Sequence, residues 1–486
     1  MPSPDNQPSE DASGTESAEI TTYQAALDFL YGRINYEKIG HAPYVAGNYR
    51  LDRMRALLDE MERPQDDYPI IHIAGTKGKG STASSIAAGL RGCGYKVGLY
   101  TSPHLLKLEE RIRINGNCCS PEQLISLTEA ARVAAGRLIE KSPSSGRPTF
   151  FELTTAMGML HFKRENAGAV VLEVGLGGRL DSTNVCSPQL TVITSISLDH
   201  QAQLGDTIAA IAGEKAGIIK PGIPVVCTAL HPDARHVIQQ KAAEHDAPLF
   251  LLDEDFSVEW SPARHDDADA ESEDAIAAHV TFHAKNKYLQ FADRTQWAVR
   301  SLGRHQADNL AGALASLCLL QQTGWPIDTE KLQDAISSDR PSGRLEIVAS
   351  QPLQIVDTAH NPASIAAGLE ALKTHFPAKP MVVVLSTSRD KDHCAMLKLL
   401  LPACSDLIVT EFQGNPRALP VDELHTAAQQ IRDEQQLNTT LHATPTPTLA
   451  WQAAKRIAGN SDLIYATGSF FLAAEVLEIA KPSATA

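Results

Sequence analysis

Between residues 22 and 63 the apolar positions recur at helical spacing: Tyr23, Leu27 and Leu30, then Met54, Leu57, Leu58 and Met61. The pattern then changes. Residues 68–74 form a short apolar run, followed by a glycine-rich turn and a helix of small residues at 81–90. Further runs at 96–100, 168–174, 190–196 and 224–228 read as strands, with helical patterns between them. Strands that are apolar on both faces and alternate with helices predict a parallel sheet covered on both sides.

Residues 253–275 break this rhythm with a run of acidic side chains that includes Asp253, Glu254, Asp255, Asp266, Asp267, Asp269, Glu271, Glu273 and Asp274. A charge run of this kind predicts a solvated insertion. A helix is expected over 307–322, and residues 337–343, with Pro341 and Gly343, read as a linker. A second series of strands follows at 353–357, 381–385, 407–410 and 463–467. The expected organisation is a disordered tail (1–20), a first α/β domain (21–337) and a smaller second one (338–486), with a crevice between them as the expected ligand site.

The composition narrows the function classes. A length of 486 residues suits two or three domains, and 43% hydrophobic with 21% charged residues is an ordinary globular balance. The net charge of -15 argues against a general nucleic-acid binder. No apolar run long enough to span a bilayer occurs, and the first twenty residues lack the basic and apolar regions of a secretory signal. The eight cysteines are scattered with no C-x-x-C spacing, which predicts neither a zinc site nor a disulfide framework and fits a cytoplasmic protein without membrane partners.

The strongest chemical signal is GTKGKGS at 75–81, between a strand and a helix. Glycines let backbone N–H groups approach phosphate oxygens, and the helix N-terminus adds positive potential. Lys79 can reach the β- and γ-phosphates, and Ser81 can bind phosphate or metal. The strict P-loop spacing is not met, because Gly80 separates Lys79 from Ser81 and Ile73 takes the first glycine position. Glu173 ends a buried strand beside Gly175, Gly177 and Gly178, a suitable place for a magnesium ligand. Asp199 and His200 follow a third strand, and Lys215 lies near the end of an apolar helix. Taken singly, a helix cap, a core histidine and a surface lysine are the plainer readings. Together they fall at the carboxyl edge of one parallel sheet, where ligands bind.

These segments resemble the folylpolyglutamate synthase family, including its bifunctional dihydrofolate synthase members, and more distantly the Mur amide ligases. The matching pieces are GTKGKGS (75–81), TSPHL (101–105), ERIRING (110–116), TFFE (149–152), LEVGLGGRLDSTN (172–184), TSISLDH (194–200), AGEKAGIIKPG (212–222), GRHQADNLAGA (303–313), PSGRLE (341–346), DTAHNP (357–362) and ATGS (466–469). The resemblance implies a Mur-ligase-like P-loop ATPase domain with a mostly parallel central sheet, then a Rossmann-like α/β domain. It implies an ATP- and Mg2+-dependent ligase that adds L-glutamate to a folate, and to dihydropteroate, through an acyl phosphate. The same resemblance assigns ATP contacts to Gly75, Thr76, Gly78, Lys79, Gly80, Ser81, Asn309, Arg344, Asp357 and His360. Metal ligation falls to Ser81, Ser102, Glu173, His200 and Lys215, the last as a carbamate, with a monovalent cation as a further partner. Catalysis is carried by Lys79, Lys215, His200 and Arg344, with domain closure delivering Arg344. The folate or pteroate is lined by Thr149, Phe150, Phe151, Glu152, Leu180, Asp181 and Ser182, with residues 48–51 as a weaker match. A monomer is expected.

Three positions depart from the family pattern. Lys77 replaces a usual Asn and adds positive charge to the loop. Ser386 stands for a glycine ahead of Arg389, Asp390, Lys391 and Asp392. Ser182 replaces an alanine frequent in bifunctional members, which bears on dihydropteroate use. Two rival readings remain at this point: a Mur-type ligase acting on another carboxylate, against which TSPHL and TFFE argue, and a nucleotide-binding P-loop module without ligase chemistry, which leaves His200, Lys215, Arg344 and Asp357 without a role. A Rossmann dehydrogenase is disfavoured, since no G-x-G-x-x-G follows the first strand.

Overall fold

A computed structural model of the chain describes residues 18–35, 51–262, 278–300, 302–339, 342–377 and 380–480. Contacts between residues divide it into two compact units: residues 1–103 with 108–251, and residues 104–107 with 252–486. The expected tail and the 48–51 stretch lie outside the described residues apart from Ala18, Glu19, Ile20 and Leu51. Ile20 is already buried, and its N–H bonds the Glu129 carboxylate at 2.9 Å.

The first unit contains α1 (Tyr23–Tyr31), α2 (Leu51–Asp59), β1 (Ile70–Ala74), α3 (Lys79–Gly92), β2 (Val97–Tyr100), β3 (Ile112–Ile114), β4 (Asn117–Cys118), α4 (Pro121–Lys141), α5 (Phe150–Arg164) and β5 (Ala169–Glu173). It continues through β6 (Leu190–Ile193), α6 (Gln201–Leu204), α7 (Ile208–Ala216), β7 (Val225–Cys227), α8 (Pro232–Glu244) and β8 (Leu249–Leu251). Its eight strands lie in the order β4-β3-β2-β5-β1-β6-β7-β8. All neighbours from β2 to β8 pair in parallel, and only β3 and β4 pair antiparallel at one edge. Strands β1, β2, β5 and β6 are buried at every position, as expected of mostly apolar strands covered on both faces.

The second unit begins with a three-stranded antiparallel sheet: β9 (Phe256–Ser261), β10 (Ala278–Ala284) and β11 (Gln296–Val299). This corrects the expectation of a solvated insertion over 253–275, since β9 lies inside that stretch; residues 263–275 lie outside the described ones. Strand β9 was obscured because its inner residues Phe256 and Val258 alternate with the polar Ser257 and Glu259 in an acidic setting. Helices α9 (Arg304–Gln322) and α10 (Thr329–Ser337) follow. Then come β12 (Glu346–Ser350), β13 (Leu353–Val356), α11 (Pro362–His375), β14 (Met381–Leu385), α12 (His393–Leu400), β15 (Asp406–Val409), α13 (Val421–Glu434), β16 (Thr440–Ala443), α14 (Pro447–Ile457), β17 (Leu463–Thr467) and α15 (Phe470–Ala480). The six strands order as β12-β13-β17-β14-β15-β16, parallel except for the β12–β13 hairpin. Apolar clusters cover both faces of this sheet, one centred on Leu353, Val383 and Leu407, the other on Val382, Ile408 and Trp451.

Candidate active site

In the first unit, parallel strands β2, β5, β1 and β6 are consecutive neighbours, so the segments that leave their carboxyl ends are neighbours too. These segments carry Ser102, Glu173, the glycine loop and the Asp199–His200 pair. The loop ends at Gly78, the N-cap of α3, with φ 85°. A side chain there would be strained, and glycine supplies the conformation that turns the loop into the helix. Ser81 lies in the first turn of α3, where helix amides have no partner within the helix. Thr76 stitches the loop to the β6 segment: its N–H bonds the Ser195 carbonyl at 2.8 Å. The Lys77 carbonyl accepts from Thr194 Oγ1 at 2.7 Å and Ser195 Oγ at 3.1 Å.

Charge gathers around this stitched backbone. Lys79 Nζ and Lys215 Nζ both donate to the Gly75 carbonyl, at 3.2 and 2.9 Å. Lys77 Nζ pairs with Asp199 Oδ2 at 2.9 Å. Lys215 is 4% exposed, so the structure replaces the plain surface lysine with a buried one aimed at the loop. Burial, with the Lys79 charge next, brings its ammonium down to about 7. Glu173 is buried as well; its Oε2 accepts the Ser102 N–H at 3.2 Å and faces Gly80, whose Cβ position lies 3.5 Å away. The His200 side chain is half exposed, with φ 51°, and its N–H bonds Asp199 Oδ1 at 3.0 Å.

The segments expected to line the aromatic substrate divide in an instructive way. Thr149 and Glu152 form a reciprocal capping box at the start of α5. Glu152 also holds Arg53 in a buried ion pair, with Nη2–Oε2 at 2.9 Å. Phe150 is fully buried, stacked on Tyr31 at 5.5 Å, with the Arg111 guanidinium 5.2 Å from its ring centroid. Phe151 is only partly buried and its ring tip lies against Gly175, where a Cβ would sit 2.4 Å from Cζ. Asp181 turns all its acceptors inward: Oδ2 takes the N–H groups of Gly175 and Leu176, at 3.1 and 2.9 Å, and Oδ1 takes the Thr183 N–H and hydroxyl, at 3.0 and 2.5 Å. Burial nonetheless raises its carboxyl above the usual range. Leu180 packs on the α7 core cluster, and Ser182 opens the short turn that Asp181 caps.

In the second unit a separate group forms beyond β13 and β17. Arg344 Nη1 donates to Thr358 Oγ1 at 2.8 Å, and its guanidinium lies 5.3 Å from the Phe470 ring centroid. His360 Nδ1 is 2.9 Å from the Thr358 carbonyl, so that nitrogen carries the proton, and its ring lies 5.3 Å from Phe470. Asp357 accepts the Tyr465 hydroxyl at 3.0 Å, and burial raises its carboxyl even though Arg344 opposes this. Asn309, on α9, donates to Gln306 Oε1 at 3.0 Å. One turn earlier on α9, burial and the Arg344 charge lower His305 to about 4. Thr358, Tyr465 and Phe470 were not singled out from sequence. Thr358 lies inside DTAHNP and Phe470 directly follows ATGS, so adjacency to those motifs was the available signal.

Among the described residues no helix is long and apolar enough to cross a membrane, and all eight cysteines are free thiols. No group of three or more His, Cys, Asp or Glu that could hold a metal by itself occurs among them.

Residues 73–317 match the Mur ligase middle domain and residues 343–470 the Mur ligase glutamate ligase domain. The chain is 34% identical over 460 residues to the dihydrofolate synthase/folylpolyglutamate synthase of Bacillus subtilis, covering 94% of this chain and 99% of that one. It is 35% identical over 379 residues to the folylpolyglutamate synthase of Lacticaseibacillus casei, covering 77% and 83%. A crystal structure of Mycobacterium tuberculosis folylpolyglutamate synthase complexed with ADP and AMPPCP superposes with a TM-score of 0.80 at 29% identity, covering 95% and 99% of the two chains. Escherichia coli FolC in complex with DHPP and ADP gives 0.76 at 26%, covering 95% and 98%.

Proposed function

This chain belongs to the folylpolyglutamate synthase/dihydrofolate synthase family of Mur-type ATP-dependent ligases, and from that premise we propose that it joins L-glutamate to a folate, and to dihydropteroate, by an amide bond. The observation that carries the reading is the convergence of Lys79, Lys215, Glu173 and the Asp199–His200 segment on one glycine loop.

A carboxylate is a poor electrophile. Its oxygen attacks the γ-phosphorus of ATP, the bond to ADP breaks, and an acyl phosphate forms. The glutamate amine then adds to the acyl carbon, loses a proton and expels phosphate. Negative charge moves outward along the phosphates during transfer, so fixed cations at that place lower the barrier. Lys79 supplies one, held by the Gly75 carbonyl, and the α3 amides supply aligned dipoles. Arg344 is the proposed cation of the second unit, held by the Thr358 hydroxyl and beside the Phe470 ring, with Asn309, Asp357 and His360 as proposed nucleotide contacts.

Magnesium fits the donors present. The buried Glu173 carboxylate faces Gly80 at the mouth of the loop beside Ser102, and Mg2+ is held by one or two carboxylates plus phosphate oxygens. When bound it would offset phosphate charge, with Ser81, Ser102, Glu173 and His200 as proposed ligands. Lys215 is proposed to carry a carbamate: its amine adds to carbon dioxide, releases a proton and becomes an oxygen donor. Phe151 is the proposed aromatic contact for the pterin ring, being the less buried member of its pair.

The test is one assay. Purified protein with ATP, Mg2+ and labelled L-glutamate is offered dihydropteroate and tetrahydrofolate separately. We expect labelled amide product and phosphate release that need both glutamate and the pteroate or folate. ATP hydrolysis independent of both would leave only a P-loop module, and use of a UDP-sugar peptide in place of a pteroate would move the chain to the Mur substrates.

A further inference from the structure

We propose that Lys77 is a further triphosphate-binding residue of this chain, and that Asp199 competes with the phosphates for its ammonium. The inference rests on the nucleotide reading of the glycine loop and concerns a residue to which that reading gives no part.

The backbone of Lys77 is fixed more firmly than its side chain. Its carbonyl takes two hydroxyls, and it bridges to Ser195 across the segment leaving β6. The side chain is 35% exposed and extends to Asp199 Oδ2 at 2.9 Å. Lys77 therefore combines an anchored Cα with a long, partly solvated arm, the arrangement of a group that changes partner without moving the loop.

The charge balance gives it a reason to do so. Lys79 and Lys215 donate to one carbonyl oxygen, which places their ammonium groups within about 6 Å of each other. Lys77 is close enough that its charge, like that of Lys79, disfavours the protonated Lys215, while Asp199 favours it. Asp181 favours it too but is engaged by the Gly175, Leu176 and Thr183 groups, so Asp199 is the carboxylate that pairs with Lys77, and its other oxygen is already taken by the His200 N–H. A polyphosphate entering the loop brings several negative charges to the same cations and offers Lys77 a better partner than one shared carboxylate. Asp199 is then free to keep its bond to His200. A plain strut between two loops would use the same ion pair but would not touch the nucleotide, and the two roles separate by measurement.

The full-length chain is titrated with AMPPCP and with ADP in the presence of a chelator, so that damage to a magnesium site does not enter the readout. Lys77→Gln is expected to weaken AMPPCP about tenfold, with a shallower salt dependence, and Lys77→Arg to stay within about threefold of the parent. Asp199→Asn, which removes the competitor, is expected to bind AMPPCP at least as tightly as the parent. Melting curves check that each variant folds; if Lys77→Gln does not, the Asp199→Asn and Lys77→Arg titrations decide. Lys77→Gln binding within threefold of the parent overturns the proposal, as does an Asp199→Asn loss of more than threefold, which is the signature of a strut. A parent protein that binds neither nucleotide sinks the proposed function itself, and is told apart from both.

Discussion

The carboxyl edges of the two parallel sheets hold their charges by different means. In the first unit, Lys79 and Lys215 share a backbone carbonyl, Glu173 takes a backbone N–H, and the carbonyl of Lys77 is gripped by Thr194 and Ser195. In the second unit, the contacts of Arg344 among the described residues are with side chains, a hydroxyl and an aromatic ring. Backbone-anchored charge has little freedom to relax when a partner is removed. Side-chain-anchored charge can be loosened by degrees. The first edge should therefore respond to substitution in an all-or-none way and the second in a graded one.

The largest effects are expected at the first edge. Lys79→Ala and Glu173→Ala should each abolish turnover, a loss of at least about a thousandfold, with the folded state retained by circular dichroism. A folded variant at near-parental rate would remove that residue from the chemistry. At the second edge, Arg344→Ala should cost on the order of a hundredfold in kcat. Phe470→Ala, which leaves Arg344 present but unsupported, should cost about tenfold, and Phe470→Tyr should restore most of it because the ring face returns. Equal losses for Arg344→Ala and Phe470→Ala would erase the predicted gradation. A further step down, Gly175→Ala should push Phe151 aside, since the new methyl would lie 2.4 Å from its ring. The expected result is a KM for the folate several-fold higher with nucleotide affinity unchanged; a matching loss of nucleotide affinity would mean that the loop, not the ring, had moved.

The same contrast explains what could be read before the structure. Strands β14 and β17 were placed to the residue because both are apolar and buried at every position, so no face alternates. Strand β9 alternates apolar and polar positions inside an acidic stretch, and charge masked the period. The glycine loop was legible because its chemistry is contiguous in the chain. The support of Arg344 was not, because Thr358 and Phe470 lie 14 and 126 positions away and neither residue type announces a partner. Lys215 shows the limit from the other side: its position near the end of an apolar helix was plain, but that its ammonium turns inward to Gly75 depends on a contact 140 residues distant.

The smallest expected effect lies beneath the first edge and sharpens the claim that its backbone is rigidly held. His72, in the middle of β1, is fully buried, with Nε2 2.9 Å from Thr183 Oγ1. The Thr183 proton is directed to Asp181, so the hydroxyl must accept from His72, which puts the imidazole proton on Nε2. Nδ1 has no partner, as befits the bare acceptor of a neutral ring. Burial, with Lys220 adding to it, lowers the folded-state value from 6.5 to about 3. The sign follows: between those values the unfolded chain binds a proton that the folded chain refuses, so stability is present above 6.5 and is lost as the pH falls below it. For this residue alone the loss from pH 7 to pH 5 is about 2 kcal/mol. His72→Gln keeps a donor for Thr183 without titrating, so the acid-induced loss of stability should shrink by that amount, as the difference between variant and parent at the two pH values. All four tryptophans lie in the second unit, so far-UV circular dichroism in denaturant, not tryptophan fluorescence, is the probe for the first. An equal acid sensitivity in parent and variant would show that the ring accepts a proton in place, and that the packing under the glycine loop is looser than its hydrogen bonds imply.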